Sequence, residues 1–188
     1  FKSEVVLPWG VTTYYRATSP AVGGTFTSLE PSQEKLDKAE PTWKDSMNDY
    51  NVMIVTIARA AGENANYTPG EEGVNPEQNL NQADPLGLSD TERATIDAAV
   101  KAKAENGGKV IVLLNNASAM EIDELKNNDG IDAMLEVGIP GGYGFYGVAD
   151  VLSGDANPSG HLADTYAVDN SASPAAQNYG DYEWTNAD

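Results

Sequence analysis

The sequence predicts an α/β fold, a three-layer α/β/α sandwich around a mostly parallel central sheet. Three short apolar runs, 52–58, 109–114 and 131–137, are rich in branched side chains and have strand length. The segments between them carry helix start and stop signals. Strands that alternate with helices form parallel sheets with helices on both faces and right-handed crossovers.

Residues 1–41 do not read as a compact unit. Residues 4–7 suit a short strand, but Pro8, Gly10, Pro20, Gly23 and Gly24 interrupt the chain beyond it. Trp9, Tyr14, Tyr15 and Phe26 supply aromatic surface, suited to gluing an extended arm to a domain or to facing a sugar. Residues 31–39 and 41–50 read as short helices, the second with Trp43 and Met47 on one face. The expected organisation is therefore an arm with short helices over 1–49, the sandwich over 50–168 and a polar tail or linker over 169–188.

The run 52–58 is the first strong strand. Its continuous apolarity predicts burial on both faces. It breaks into Arg59-Ala-Ala-Gly-Glu63. Ligands of open α/β sheets bind just outside the carboxyl ends of the parallel strands, where Glu63 would be delivered. Residues 64–86 are long, polar and aperiodic, which suits a loop that covers a substrate. Glu71 and Glu72 lie in it and compete with Glu63 for any acid role.

Ser89-Asp-Thr-Glu92 is a capping box, and its helix should run to about Asn106 and stop at Gly107-Gly108. Ile96, Ala99, Val100 and Lys103 form its inward stripe. After the second strand, Asn115-Asn-Ala-Ser118 closes another carboxyl end with small polar residues. Short helices are expected at 120–126 and 145–153, with the third strand between them and a last strand at 161–168.

Composition narrows the function. Eleven basic residues against 29 acidic ones give a formal net charge of -18. That field repels phosphate backbones and anionic membranes, and leaves neutral sugars, peptides or cations as easier partners. Without cysteine there is no disulfide, thiolate metal site or cysteine nucleophile. No apolar run has the length of about 18 residues that membrane insertion needs. The chain opens at Phe1, as expected of a processed protein or a piece of a larger one. The compartment is left open, with an extracellular or cell-surface one favoured.

Gly142-Tyr-Gly-Phe-Tyr-Gly147 has the spacing of a dinucleotide loop. Pro140 and the bulky Tyr143, Phe145 and Tyr146 crowd it, and the net charge opposes an anionic cofactor. A tight turn that packs a helix on the sheet is the better reading, and no cofactor is expected. His161 is the only histidine, and no Gly-x-Ser-x-Gly elbow is present, so neither a serine triad nor a zinc site is expected. Acidic clusters such as Asp181, Glu183 and Asp188 lack calcium-loop spacing.

One succession of motifs says more. Arg59-Ala-Ala-Gly-Glu63, Leu88-Ser-Asp-Thr-Glu92, Pro140-Gly-Gly142 and Ala149-Asp-Val-Leu-Ser-Gly-Asp-Ala-Asn-Pro-Ser-Gly160 follow one another at characteristic places. The chain from about Tyr50 to Tyr166 resembles the second, α/β-sandwich domain of family 3 glycoside hydrolases, the β-glucosidase family. The last motif, with Leu162, is the strongest element; His161 and Ala163 replace the family's basic residue and proline.

The resemblance implies a retaining β-glycosidase built from two domains. An Asp nucleophile would sit on a (β/α)8 barrel of the same parent chain, and this domain would lend the acid/base Glu. Glu63 inherits that role, with Glu71 and Glu72 as alternatives, because Asn64 replaces the usual Gly and Ala65-Asn-Tyr67 lacks the usual Asp. Arg59 is the candidate substrate-binding residue, positioning either Glu63 or a sugar hydroxyl, unless it only pairs with loop acids. Retaining chemistry needs two carboxyls about 5–5.5 Å apart, one of them protonated. No second carboxylate here can be nominated as nucleophile, so the isolated chain is expected to be inactive. The other class is a non-catalytic carbohydrate-binding or interaction module on the same scaffold, since fold does not fix function.

Overall fold

The structure, a computed structural model, describes residues 33–59, 84 and 86–177. The possible strand at 4–7, most of the loop 64–86 and the end of the tail lie outside them.

Strands β1 (Val52–Ala58), β2 (Lys109–Asn115) and β3 (Ala133–Glu136) form one parallel sheet in the order β1-β2-β3. The register sets Val52 against Lys109, Ala58 against Asn115 and Leu114 against Glu136, so all three carboxyl ends reach one edge. β3 is shorter than the run 131–137. Hydrogen bonding nonetheless continues at both of its ends, from Asp132 N to the Val110 carbonyl and from Val137 N to that of Leu114.

The helices before β1 are α1 (Gln33–Ala39) and α2 (Trp43–Ser46), the latter running into a 3-10 turn at Met47–Asp49. Leu36 and Trp43 form a small cluster, and Met47 bridges it to the main core. Trp43 Nε1 donates to Asp37 Oδ1 at 2.9 Å, satisfying the indole at the rim.

Helix α3 (Asp90–Asn106) is the main helix. Ser89 Oγ accepts from Glu92 N at 3.1 Å, while Ser89 N donates to Glu92 Oε2 at 2.7 Å; this is the expected capping box. The helix ends at Gly107, whose φ of 74° is left-handed and whose amide donates to the Lys103 carbonyl at 2.8 Å. At Gly108 a Cβ would stand 3.0 Å from the Asn51 carbonyl oxygen, so the turn into β2 presses on the start of β1.

Ile96, Ala99 and Ala102 of α3 share a buried core with Met53, Val55 and Ile57 of β1 and Val110, Val112 and Leu114 of β2. Leu88, Met120 and Leu125 close its ends. Ala102 replaces the expected Lys103 in the inward stripe. Lys103 instead lies at the edge and donates to the Gly130 carbonyl at 3.0 Å.

Further expectations need correction. β1 is buried on one face only: Val52 and Ile54 are 46% and 48% exposed. β1 is an edge strand of the described sheet, and its second row of branched side chains lacks a covering layer among the described residues. β2, the central strand, buries Leu113 on that second face as well.

The predicted strand 161–168 is not a strand. Leu162 and Val168 are 57% and 70% exposed, and the backbone there is irregular. Apolar residues alone do not make a strand without a ladder partner and a face to bury. Tyr166 alone turns inward, packing on the core.

The helix expected over 145–153 begins earlier, as α5 (Gly141–Ser153). The dinucleotide-like glycines 142, 144 and 147 therefore lie inside a helix rather than in a loop ahead of one. Gly144 has a packing reason, since a Cβ there would stand 2.6 Å from Pro140 Cβ. No residue of α5 is buried, and Tyr143, Phe145 and Tyr146 are exposed. Two short helices complete the described chain, α4 (Asp123–Lys126) between β2 and β3, and α6 (Pro174–Gln177) after a 3-10 turn at Asn170–Ala172. α4 is shorter than the 120–126 expected.

Candidate active-site edge

Parallel strands converge their carboxyl ends on one edge, and polar side chains gather there. β1 delivers Arg59, β2 delivers Asn115 and Asn116, and β3 ends on Glu136. Arg59 N donates to the Asn115 carbonyl at 3.1 Å, extending the ladder one residue past β1.

The Arg59 side chain turns into the protein. Nε donates to Glu92 Oε1 at 3.1 Å, and Nη2 donates to Glu92 Oε2 at 2.6 Å and to the Gly87 carbonyl at 2.7 Å. Arg59 and Glu92 are only 3% and 2% exposed. The planar guanidinium fork fits the carboxylate with two parallel bonds. Glu92 meanwhile closes the capping box, in the first turn of α3, where the helix dipole favours a negative charge. One carboxylate thus joins the exit of β1 to the start of α3. In the sequence Glu92 stands out as a cap and as the end of one of the family-like motifs, and neither points to Arg59. Its pairing with a residue 33 positions away leaves no periodic signal.

The entrance to α3 also meets the exit of β2, since Glu121 N donates to the Leu86 carbonyl at 3.0 Å. Burial pushes the Glu121 carboxyl above its ordinary range, and Asp84 and Asp169 add to the rise. The Asn170 amide donates to Glu121 Oε1 and opposes it. Glu121 is therefore a carboxyl raised above its ordinary range that sequence reasoning missed, and only its three-dimensional neighbours reveal it.

At the end of β3, Glu136 Oε1 accepts from Gly138 N at 2.7 Å and Oε2 accepts from Tyr166 Oη at 2.8 Å. Asn115 Nδ2 donates to the Gly138 carbonyl. Burial, with Glu136 close by, raises the Tyr166 phenol above its ordinary range. Asn116 is buried, with Nδ2 3.1 Å from Met120 Sδ, and its Oδ1 has no hydrogen-bond partner among the described residues. No group of His, Cys, Asp and Glu side chains suited to a metal ion occurs among the described residues.

Of the predicted site residues, the structure places Arg59 at the carboxyl end of β1. Glu63, Glu71 and Glu72 lie outside the described residues.

A parallel sheet with helices packed on it and a polar row along its carboxyl edge defines a domain of the open α/β class. Comparison with known proteins makes the assignment specific. The family model for the glycosyl hydrolase family 3 C-terminal domain matches residues 7–187. The chain belongs to glycoside hydrolase family 3, as a β-glucosidase-like C-terminal domain.

It is 31% identical over 129 residues to a probable β-glucosidase F of Emericella nidulans, covering 69% of this chain and 14% of that protein. It is 27% identical over 148 residues to a probable β-glucosidase D of Aspergillus flavus, covering 79% of this chain and 17% of that protein. The solved β-glucosidase 3B of Thermotoga neapolitana in complex with glucose superposes with a TM-score of 0.60 at 31% identity, over 73% of this chain and 17% of that one. The chain thus spans less than a fifth of the length of these relatives. The α/β-sandwich class expected from the sequence is the class of these structures.

Proposed function

We propose that this chain is the second domain of a retaining β-glycosidase, supplying the acid/base carboxyl to an active site that a (β/α)8 barrel of the same parent chain completes with an Asp nucleophile. The observation that carries the reading is the family match over residues 7–187. The named relatives are a β-glucosidase of solved structure and two probable β-glucosidases, which supports hydrolysis of terminal β-linked sugars. In this reading residues 50–168 are the sandwich proper, 1–49 an arm and short helices packed on it, and 169–188 a tail. The partners are the barrel and a carbohydrate, without nucleic acid or membrane insertion.

Glu63 is the acid/base group, with Glu71 and Glu72 as alternatives on the same loop. It protonates the leaving-group oxygen as the nucleophile attacks, then deprotonates the water that releases the sugar. Its distance along the chain from the end of β1 favours it over Glu71 and Glu72. Arg59 stands at that strand end. Of its three roles, positioning Glu63, holding a sugar hydroxyl or only pairing with acids, the buried ion pair with Glu92 speaks against the second.

The isolated chain should not hydrolyse aryl β-glycosides. General-acid help alone is worth about 10²–10⁴-fold and cannot replace the covalent step. Assay of the purified chain tests this: measurable turnover that Glu63→Gln abolishes would refute the split site.

A further inference from the structure

We infer that Glu92 is a positioning residue for the acid/base carboxyl, acting through Arg59; this rests on the proposed role of Glu63. Arg59 N makes a ladder bond to the Asn115 carbonyl one residue past β1, the last one among the described residues of that strand. Glu63 follows four residues later, within about 14 Å of extended chain. The residues between them, Ala60, Ala61 and Gly62, have no long side chain to anchor that path. Where Glu63 starts from is therefore set by Arg59.

Among the described residues Arg59 is held from three directions: two bonds to Glu92, one to the Gly87 carbonyl, and the backbone bond to Asn115. Glu92 is itself immobilised, since Oε2 also accepts from Ser89 N and its own amide donates to Ser89 Oγ. The strand end is thus referred to the first turn of a 17-residue helix packed on the core. Supporting residues of this kind keep reacting groups within the tolerance catalysis requires. A simple structural ion pair would need neither the strand exit nor the helix start, and this one joins both.

The test is steady-state kinetics of the full-length parent enzyme carrying Glu92→Asp or Arg59→Lys. Each keeps its charge but loses the matched fork. Substrates are β-glycosides graded from activated to poor leaving groups. Poor leaving groups should lose about 10- to 100-fold in kcat, the scale of a misplacement of about 1 Å, with KM within about threefold. Activated ones should be nearly unaffected in the first, glycosylating step. The basic limb of the pH profile, which reports the acid, should also shift.

Uniform losses that follow the folded fraction, with an unchanged leaving-group slope and pH profile, would overturn the inference. Should either variant fail to fold, the double replacement Glu92→Gln with Arg59→Gln carries the same test, because it removes the charged fork while the amide placed at position 92 still offers an acceptor to Ser89 N. Glu63→Ala is measured in parallel. An impaired Glu63→Ala beside a wild-type slope in Glu92→Asp overturns the role of Glu92 and leaves Glu63 standing. An altered slope in Glu92→Asp beside a wild-type Glu63→Ala supports positioning by the pair and moves the acid elsewhere on the loop. Wild-type slopes in both overturn both.

Discussion

Lys103 Nζ lies 2.8 Å from Asp132 Oδ2, joining the last turn of α3 to the residue that leads into β3. Asp132 also accepts from Lys109 Nζ and from Val110 N, each at 2.9 Å. These donors, Lys103 first, hold its carboxyl well below the usual range. A depressed folded-state pKa contributes stability above the unfolded value and loses it as pH falls through the folded one. Asp132→Asn should therefore lower the melting temperature at pH 7. The difference from wild type should shrink steadily below about pH 4, the ordinary carboxylate value. Thermal melts across pH 2–7 read this directly; an equal deficit at every pH would contradict it.

Glu121 should behave with the opposite sign. Its carboxyl is raised by burial and by Asp84 and Asp169, so the folded state binds a proton more tightly than the unfolded chain. That contribution is present below the ordinary glutamate pKa and is lost as pH rises through the folded value. Glu121→Gln keeps the shape without the charge and should be at least as stable as wild type at pH 7. Its advantage should vanish near pH 4. A variant clearly less stable than wild type at pH 7 would show that the carboxylate itself is needed there.

The core offers a third check. Ile57 is fully buried in β1 beneath α3, within the main cluster. Ile57→Ala should destabilise the domain by about 2–5 kcal/mol through lost burial and the residual cavity. Tyr146→Ser on exposed α5 should stay within about 0.5 kcal/mol. Urea unfolding of both variants decides between these outcomes.

How much of this was legible in the sequence depends on how local each cause is. β1 and β2 were readable because their apolar runs hold strand length and end in polar punctuation. α3 was readable to the residue at its start, because Ser89 and Glu92 carry out the capping in place. The segment 161–168 was misread because a strand is defined by its partner, and Leu162 and Val168 find no face to bury. The one-sided burial of β1 escaped for a related reason: apolarity does not disclose whether a covering layer arrives. At the site edge, Arg59 stood out by its motif. Its bond to Glu92 and the surroundings that raise the Glu121 carboxyl arise from segments that meet only after folding.

The most direct test is the leaving-group dependence of Glu63→Ala in the full-length parent, set against Glu71→Ala and Glu72→Ala. Glycosides with poor leaving groups should slow far more than activated ones, which depart without protonation. Added azide should partly rescue the activated substrates by attacking the glycosyl-enzyme in place of base-assisted water. Wild-type behaviour of Glu63→Ala, with the dependence appearing instead in Glu71→Ala or Glu72→Ala, would contradict the assignment and place the acid further along the loop.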